Sequence, residues 1–257
     1  MAEIDDRVGV IDRELGWIDA ALDRGDGDPQ HLLAQREQLM SERDRLTHIR
    51  ELLGPDPDPS TGSPVTLDPS DDGCMAVTIG DPSKASDVVV HVSSPDADWD
   101  RVVGKDRLGD PGAWKIADAA NAGPGHDKVA VVSSFDRGGD GLAPPGSPEN
   151  ATPEQRVGAR LADTVTKAGG GRPAAMVIDD SSVPSVREAL RLGAPVDRVA
   201  VVGGSPESIR DLSSHGVSAR AVDHHGRAAS PAPSTSTSED DPFEQLLDWI
   251  RHAIRGS

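Results

Sequence analysis

Apolar residues recur along the start of the chain at alternating steps of four and three: Ile4, Val8, Ile11, Leu15, Ile18 and Leu22. That spacing predicts a helix over 3–23 with one narrow apolar stripe. The run Arg24-Gly25-Asp26-Gly27-Asp28-Pro29 interrupts it. Asp28 is placed there as the N-cap, and Pro29 as the first residue, of a second helix. Its seam is Leu32, Leu39, Leu46 and Leu53, supplemented by Leu33, Met40 and Ile49, and Arg36, Arg43 and Arg50 repeat at the same interval beside it. The pattern predicts an antiparallel helical hairpin over 1–53. Arg36 and Arg43 would reach Asp12, Glu14 or Asp19 across the gap, each exposed pair contributing only about 0–1 kcal/mol. The apolar seam must therefore supply most of the hairpin's stability.

Residues 54–73 hold five Asp, five Pro and no basic residue, the composition of an extended, solvated linker. Beyond it short β-branched runs alternate with longer helical patterns. The runs are Met75–Ile79, Val88–Val92, Val129–Val132, Ala174–Ile178 and Val199–Val202, with a weaker one at Val217–Val222. Helices are expected at about 111–122, 153–168, 183–192 and 205–213. This alternation predicts an α/β domain over 74–227, a mostly parallel sheet with helices on both faces. A Ser/Pro/Thr-rich stretch, 228–241, reads as disordered. A last amphipathic helix over 242–257 carries Phe243, Leu246, Leu247, Ile250 and Ile254 on one side.

Charge and composition narrow the possible functions. The chain has 26 basic against 44 acidic residues, a net charge of −18, and no clustered basic stretch, which excludes a nucleic-acid surface. With no Tyr, two Phe and four Trp, recognition by aromatic stacking is not expected. The start, MAEIDDR, has no signal-peptide character, and no apolar run approaches the roughly 18 residues of a membrane span. A cytoplasmic protein is expected. A lone Cys74 allows neither an internal disulfide nor a Cys-based zinc site.

In an open parallel sheet ligands bind beyond the carboxyl ends of the strands. The loops there read Ser93-Ser94-Pro95-Asp96, Ser133-Ser134-Phe135-Asp136, Asp179-Asp180-Ser181-Ser182-Val183-Pro184 and Gly203-Gly204-Ser205-Pro206. The third has the strand, turn, helix context of a hydrolase nucleophile. Ser181 would attack, Asp223 would be the acid, and His224, His225 or His252 the base. The other reading of Ser181 and Ser182 is an N-cap for the following helix. Gly203-Gly204 would let a helix N-terminus approach a phosphate, although Glu207 opposes an anion. Asp223-His224-His225 is a fragment of a metal site without a third ligand at defined spacing. Neither cofactor nor metal is expected.

The helical region ending LLGPDPDP, then MAVTIGDPSKASDVVVHV, KVAVVSSFD, AAMVIDDSSVPSVREAL and VDRVAVVGGSP, together resemble a family of bacterial alpha/beta-hydrolase proteins of poorly defined function. In that family a helical hairpin precedes the hydrolase domain. The resemblance covers about residues 30–225. It implies Ser181 at the nucleophile position, Asp223 at the acid position, and Ser93–Asp96 at the loop that supplies an oxyanion-hole amide. Each place departs from the family: the nucleophile turn lacks both glycines, the oxyanion loop lacks its Gly-rich character, and the Ser/Pro/Thr stretch stands where the family histidine belongs. A second, weaker resemblance, over about residues 179–215, is to repeats of bacterial cell-wall-binding proteins, a reading that requires export and tandem repeats, neither of which is visible. A degenerate, non-catalytic member acting as a binding or interaction module is expected, with an active esterase using Ser181, Asp223 and His224 or His225 as the alternative. Expected partners are a protein engaged through the hairpin or the C-terminal helix, and a small molecule in the cleft. Asp96, Asp136, Asp179 and Asp180 at the strand mouths would oppose an oxyanion and make that molecule neutral or cationic.

Overall fold

The computed structural model of the chain describes residues 2–54, 62–68, 73–95, 97–121, 129–137 and 151–222. Helices α1 (Ala2–Arg24) and α2 (Pro29–Leu53) form the hairpin. Asp28 starts α2 as anticipated: its carboxylate accepts the Gln30 amide at 3.0 Å, and Pro29, lacking an N–H, opens the first turn. Ile4, Ile11 and Ile18 of α1 are buried against Leu32, Leu39 and Leu46 of α2. Along the outside of the seam runs a ladder with a seven-residue repeat on each helix: Arg36 to Asp19 at 2.8 Å, Arg43 to Asp12 at 2.6 Å and Arg50 to Asp5 at 3.3 Å. Leu33 and Met40 do not join the seam. They are 54% and 41% exposed, because each lies about 100° around the helix from Leu32 or Leu39 and α1 offers too narrow a stripe to cover both.

Seven strands make one sheet: β1 (Ser63–Asp68), β2 (Cys74–Ile79), β3 (Asp87–Val92), β4 (Val129–Asp136), β5 (Ala174–Asp179), β6 (Val196–Val202) and β7 (Ser218–Val222). Their spatial order is β1-β2-β4-β3-β5-β6-β7. β2 is antiparallel to both β1 and β4, and every other neighbouring pair is parallel. The six apolar runs each became a strand. β1 corrects the reading of 54–73 as solvated linker, since residues 63–68 pair with β2. Only Val65 and Leu67 alternate there, and Pro64 is tolerated because β1 is an edge strand.

Helices cover both faces. On one, α5 (Pro153–Gly169), α6 (Val183–Arg191) and α7 (Pro206–Ser214) pack Leu161, Val165, Val186 and Leu212 on Val88, Val90, Met176 and Val201. On the other, α4 (Pro111–Ala120), which follows the short α3 (Trp99–Val102), packs Ala113, Ile116 and Ala117 on Val89, Val131 and Val177. Successive valines of β3 thus enter opposite cores, which is why that run shows no polar alternation. The hairpin docks on Met75, Val77 and Phe135 of β2 and β4. Trp99 mediates the contact, its ring edge-on to Phe135 at 5.1 Å and under the Arg45 guanidinium at 5.1 Å.

Candidate functional site

β3 to β7 are parallel, so their carboxyl ends share one edge of the sheet. β5 ends at Asp179, and a single 3-10 turn, Asp180–Ser182, leads into α6. Asp179 Oδ1 accepts three hydrogen bonds: from the Ser181 hydroxyl at 2.5 Å, the Ser182 amide at 3.0 Å and the Ser182 hydroxyl at 3.0 Å. The cap expected from Ser181 and Ser182 is therefore supplied by Asp179, and Ser182 makes no side-chain cap bond. The turn is also unstrained. Ser182 sits at φ −84°, ψ −8°, and no non-glycine residue among those described has positive φ.

A cavity of about 290 Å³ opens beside this turn, between the ends of β3 and β4 and the first turns of α5 and α6. Ser93, Ser134, Ser181, Ser182 and Ser185 are among the residues that line it, with Val92, Val157, Leu161 and Pro184 among its apolar walls. Ser134 and Ser185 are each 7% exposed. The Ser93 amide donates to the Ser134 carbonyl at 2.8 Å.

The described carboxylates at the strand mouths are engaged by donors of the fold. Arg160 holds Asp136 with two bonds, of 2.6 and 2.7 Å, both side chains being largely buried. Such bidentate pairs are short and strong for an ion pair. Asp180 accepts the Ser205 amide at 3.2 Å. Of the described carboxylates at the strand mouths, Asp136 is thus paired with a cation, while Asp179 and Asp180 are held by neutral donors of the fold. The same Asp180 contact occupies the Ser205 amide at the start of α7, an amide that the phosphate reading of Gly203-Gly204 needed. Gly204 serves a tight turn instead, where an added Cβ would lie 2.8 Å from Val201.

A polar cluster that the sequence reading missed lies behind the cleft. Asp110, fully buried, caps α4 through the Gly112 amide at 2.7 Å, accepts Arg101 Nε at 2.8 Å, and receives the Ser93 hydroxyl at 3.4 Å. Its own amide donates to Ser133 Oγ at 2.8 Å. His91 on β3 faces this cluster, with Gly112 so close that a Cβ there would sit 2.9 Å from Nε2. Nδ1 of His91 is buried without a partner among the described residues. Burial pushes the imidazole below its ordinary pKa, an effect opposed by the Asp110 carboxylate, reinforced by Arg101 and opposed again by Asp179. The Asp110-Pro111 pair was the available signal, as an N-cap followed by proline. His91 was hidden inside a valine run.

Of the predicted triad, Ser181 alone falls among the described residues. Asp223, His224, His225 and His252 lie outside them, as do Asp96, the 228–241 stretch and the predicted helix 242–257. Among the described residues no three His, Cys, Asp or Glu side chains gather as metal ligands, and no helix is long and apolar enough to cross a membrane. No protein-family model matches the chain, and a search of curated proteins finds no match.

Proposed function

We propose that the chain is an alpha/beta-hydrolase-like scaffold whose carboxyl-edge cleft binds a ligand without hydrolysing it. The resemblance to bacterial alpha/beta-hydrolase proteins then extends to architecture and not to catalysis. The strand order with an antiparallel β2, the helices on both faces, and a serine at the turn between β5 and α6 support the scaffold. One observation carries the loss of catalysis. A single oxygen, Asp179 Oδ1, takes both the Ser181 hydroxyl and the Ser182 amide.

A serine nucleophile needs a base that accepts its proton, and the amide following it is an oxyanion donor in hydrolases of this kind. Here both groups already have a partner within the turn. The second candidate oxyanion amide, that of Ser93, is spent on the Ser134 carbonyl. Two amides committed inside the fold cannot stabilise developing charge, an interaction worth about 10²–10³ in rate per donor. The test is labelling of the whole chain with a serine-reactive fluorophosphonate, beside Ser181→Ala and Ser182→Ala. No stoichiometric adduct is expected; one that disappears only in Ser181→Ala would reinstate the esterase, with Asp223 and His224 or His225 as the partners to search.

A second reading, recruitment of a protein through the hairpin, is favoured by exposed Leu33 and Met40 beside Val103, lining a depression of about 720 Å³ along α2. Pull-downs with a Leu33→Ser/Met40→Ser variant test it. Unchanged recovery of partners would remove that surface from consideration.

A further inference from the structure

Two of the large apolar side chains left exposed among the described residues, Leu33 and Met40, lie seven residues apart on one side of α2. Together with Val103 they give the depression of about 720 Å³ its apolar floor. From Leu33 to His48, which also lines it, α2 advances about 22 Å. Apolar side chains gathered in a groove with a polar rim mark a surface that something covers. Outside the described residues, only 242–257 carry apolar residues at helical spacing: Phe243, Leu246, Leu247, Ile250 and Ile254. As a helix those residues are about 24 Å long, the length of the groove. Rim and segment each carry both signs, Arg36, Glu37, Asp44 and Arg45 on α2, and Glu244 and Asp248 ahead of Arg251 and Arg255 in the segment.

We propose that residues 242–257 lie as a helix along α2 in this groove, with their apolar side on Leu33, Met40 and Val103. The chain between is long enough. β7, the last described strand, is four or five strand spacings, about 19–24 Å, across the sheet from β4 and β2, where the hairpin docks. Residues 223–241 span about 60 Å when extended and about 25 Å as a coil. Such a tether holds the segment at about millimolar effective concentration, so a contact with a Kd of about 0.1 mM as a free peptide keeps about nine chains in ten docked. A second copy in the groove would instead bring one net charge of −18 against another, which opposes association. The groove is the surface of the second reading above, and a partner protein recruited there would first have to displace the segment.

The experiment is NMR on the full chain, isotope-labelled at its methionine methyls, with a nitroxide on Gln245→Cys in a Cys74→Ala background that leaves one thiol. Gln245 is about 180° round the segment from its apolar side, so the label does not obstruct docking. Met40 reports the groove, and Met176, packed in the core beneath α5, α6 and α7, is the control and the marker that each variant is folded. The nitroxide should remove most of the Met40 methyl signal and leave that of Met176. Leu246→Ser/Ile250→Ser should lower the docking equilibrium by about a hundredfold and restore the Met40 signal. An undiminished Met40 signal in the parent, equal loss at Met40 and Met176, or a loss that survives Leu246→Ser/Ile250→Ser would each overturn the proposal. So would loss at Met40 when isotope-labelled chain without nitroxide is mixed with nitroxide-bearing chain, since the segment of a second copy would then be the occupant. Pull-downs judge recruited partners and the nitroxide judges the chain's own segment, so the two readings of this surface fail separately.

Discussion

At the residue scale, Asp179 decides what the β5 to α6 turn can do. A carboxylate that fixes two serines and one amide is a capping device, and its removal has two consequences that can be read separately. Asp179→Ala should cost about 1–2 kcal/mol of stability, measured by urea unfolding, because three donors lose their acceptor at once. It should not create fluorophosphonate reactivity, since Ser181 gains no base among the described residues. His91 makes a second prediction at this scale. Its imidazole is held below the ordinary value of about 6.5 in the fold, so between that lowered value and 6.5 the unfolded chain binds more protons than the native one. Stability therefore falls as pH drops through this window and levels off below it. In His91→Gln, stability measured across pH 4–7 should lose that part of the slope, the groups facing it being Asp110, Arg101 and Asp179. A slope identical to that of the parent would show that His91 is not held neutral.

At the scale of elements, the seam and the ladder of the hairpin contribute unequally. Leu46 is fully buried between the helices, and Leu46→Ala should cost about 2–5 kcal/mol. Arg43→Ala breaks a 2.6 Å pair whose side chains are 44% and 49% exposed, and should cost less than about 1 kcal/mol. Urea midpoints of the two variants check the ratio; a larger loss in Arg43→Ala would mean that the ladder, not the seam, closes the hairpin. The hairpin and six of the strands were legible because each rests on a local period, of 3.5 to 3.6 residues for α1 and α2 and an unbroken valine run for the buried strands. β1 was not legible. An edge strand needs few apolar residues, and Pro64 and Asp68 made it look like linker. Leu33 and Met40 were misread for the opposite reason: a sequence period shows which residues share a face, but not how wide a partner stripe is.

On the scale of the whole molecule, the position of Ser181 at the carboxyl edge was legible, while its chemistry was not. A loop's sequence shows which polar groups are near, and only the fold shows which of them bond each other: Asp179 to its own turn, Asp136 to Arg160, Asp180 to Ser205. The same limit applies to the hairpin's independence. Its seam, from Ile4 to Leu53, belongs to one apolar cluster with Met75, Val77, Trp99, Val102 and Phe135 of the sheet side, and His48 reaches the Gly104 carbonyl at 3.1 Å. Residues that share a core lose their neighbours together, so hairpin and sheet should unfold in one cooperative transition. Trp99, 4% exposed at that junction, reports it through fluorescence once Trp17, Trp114 and Trp249 are replaced by Phe, and far-ultraviolet circular dichroism reports the helices. Coincident urea curves are expected, with Leu46→Ala shifting both by the same amount. If the helical signal melted first while Trp99 fluorescence held, residues 1–53 would be a separately folding domain and the shared cluster only a docking contact.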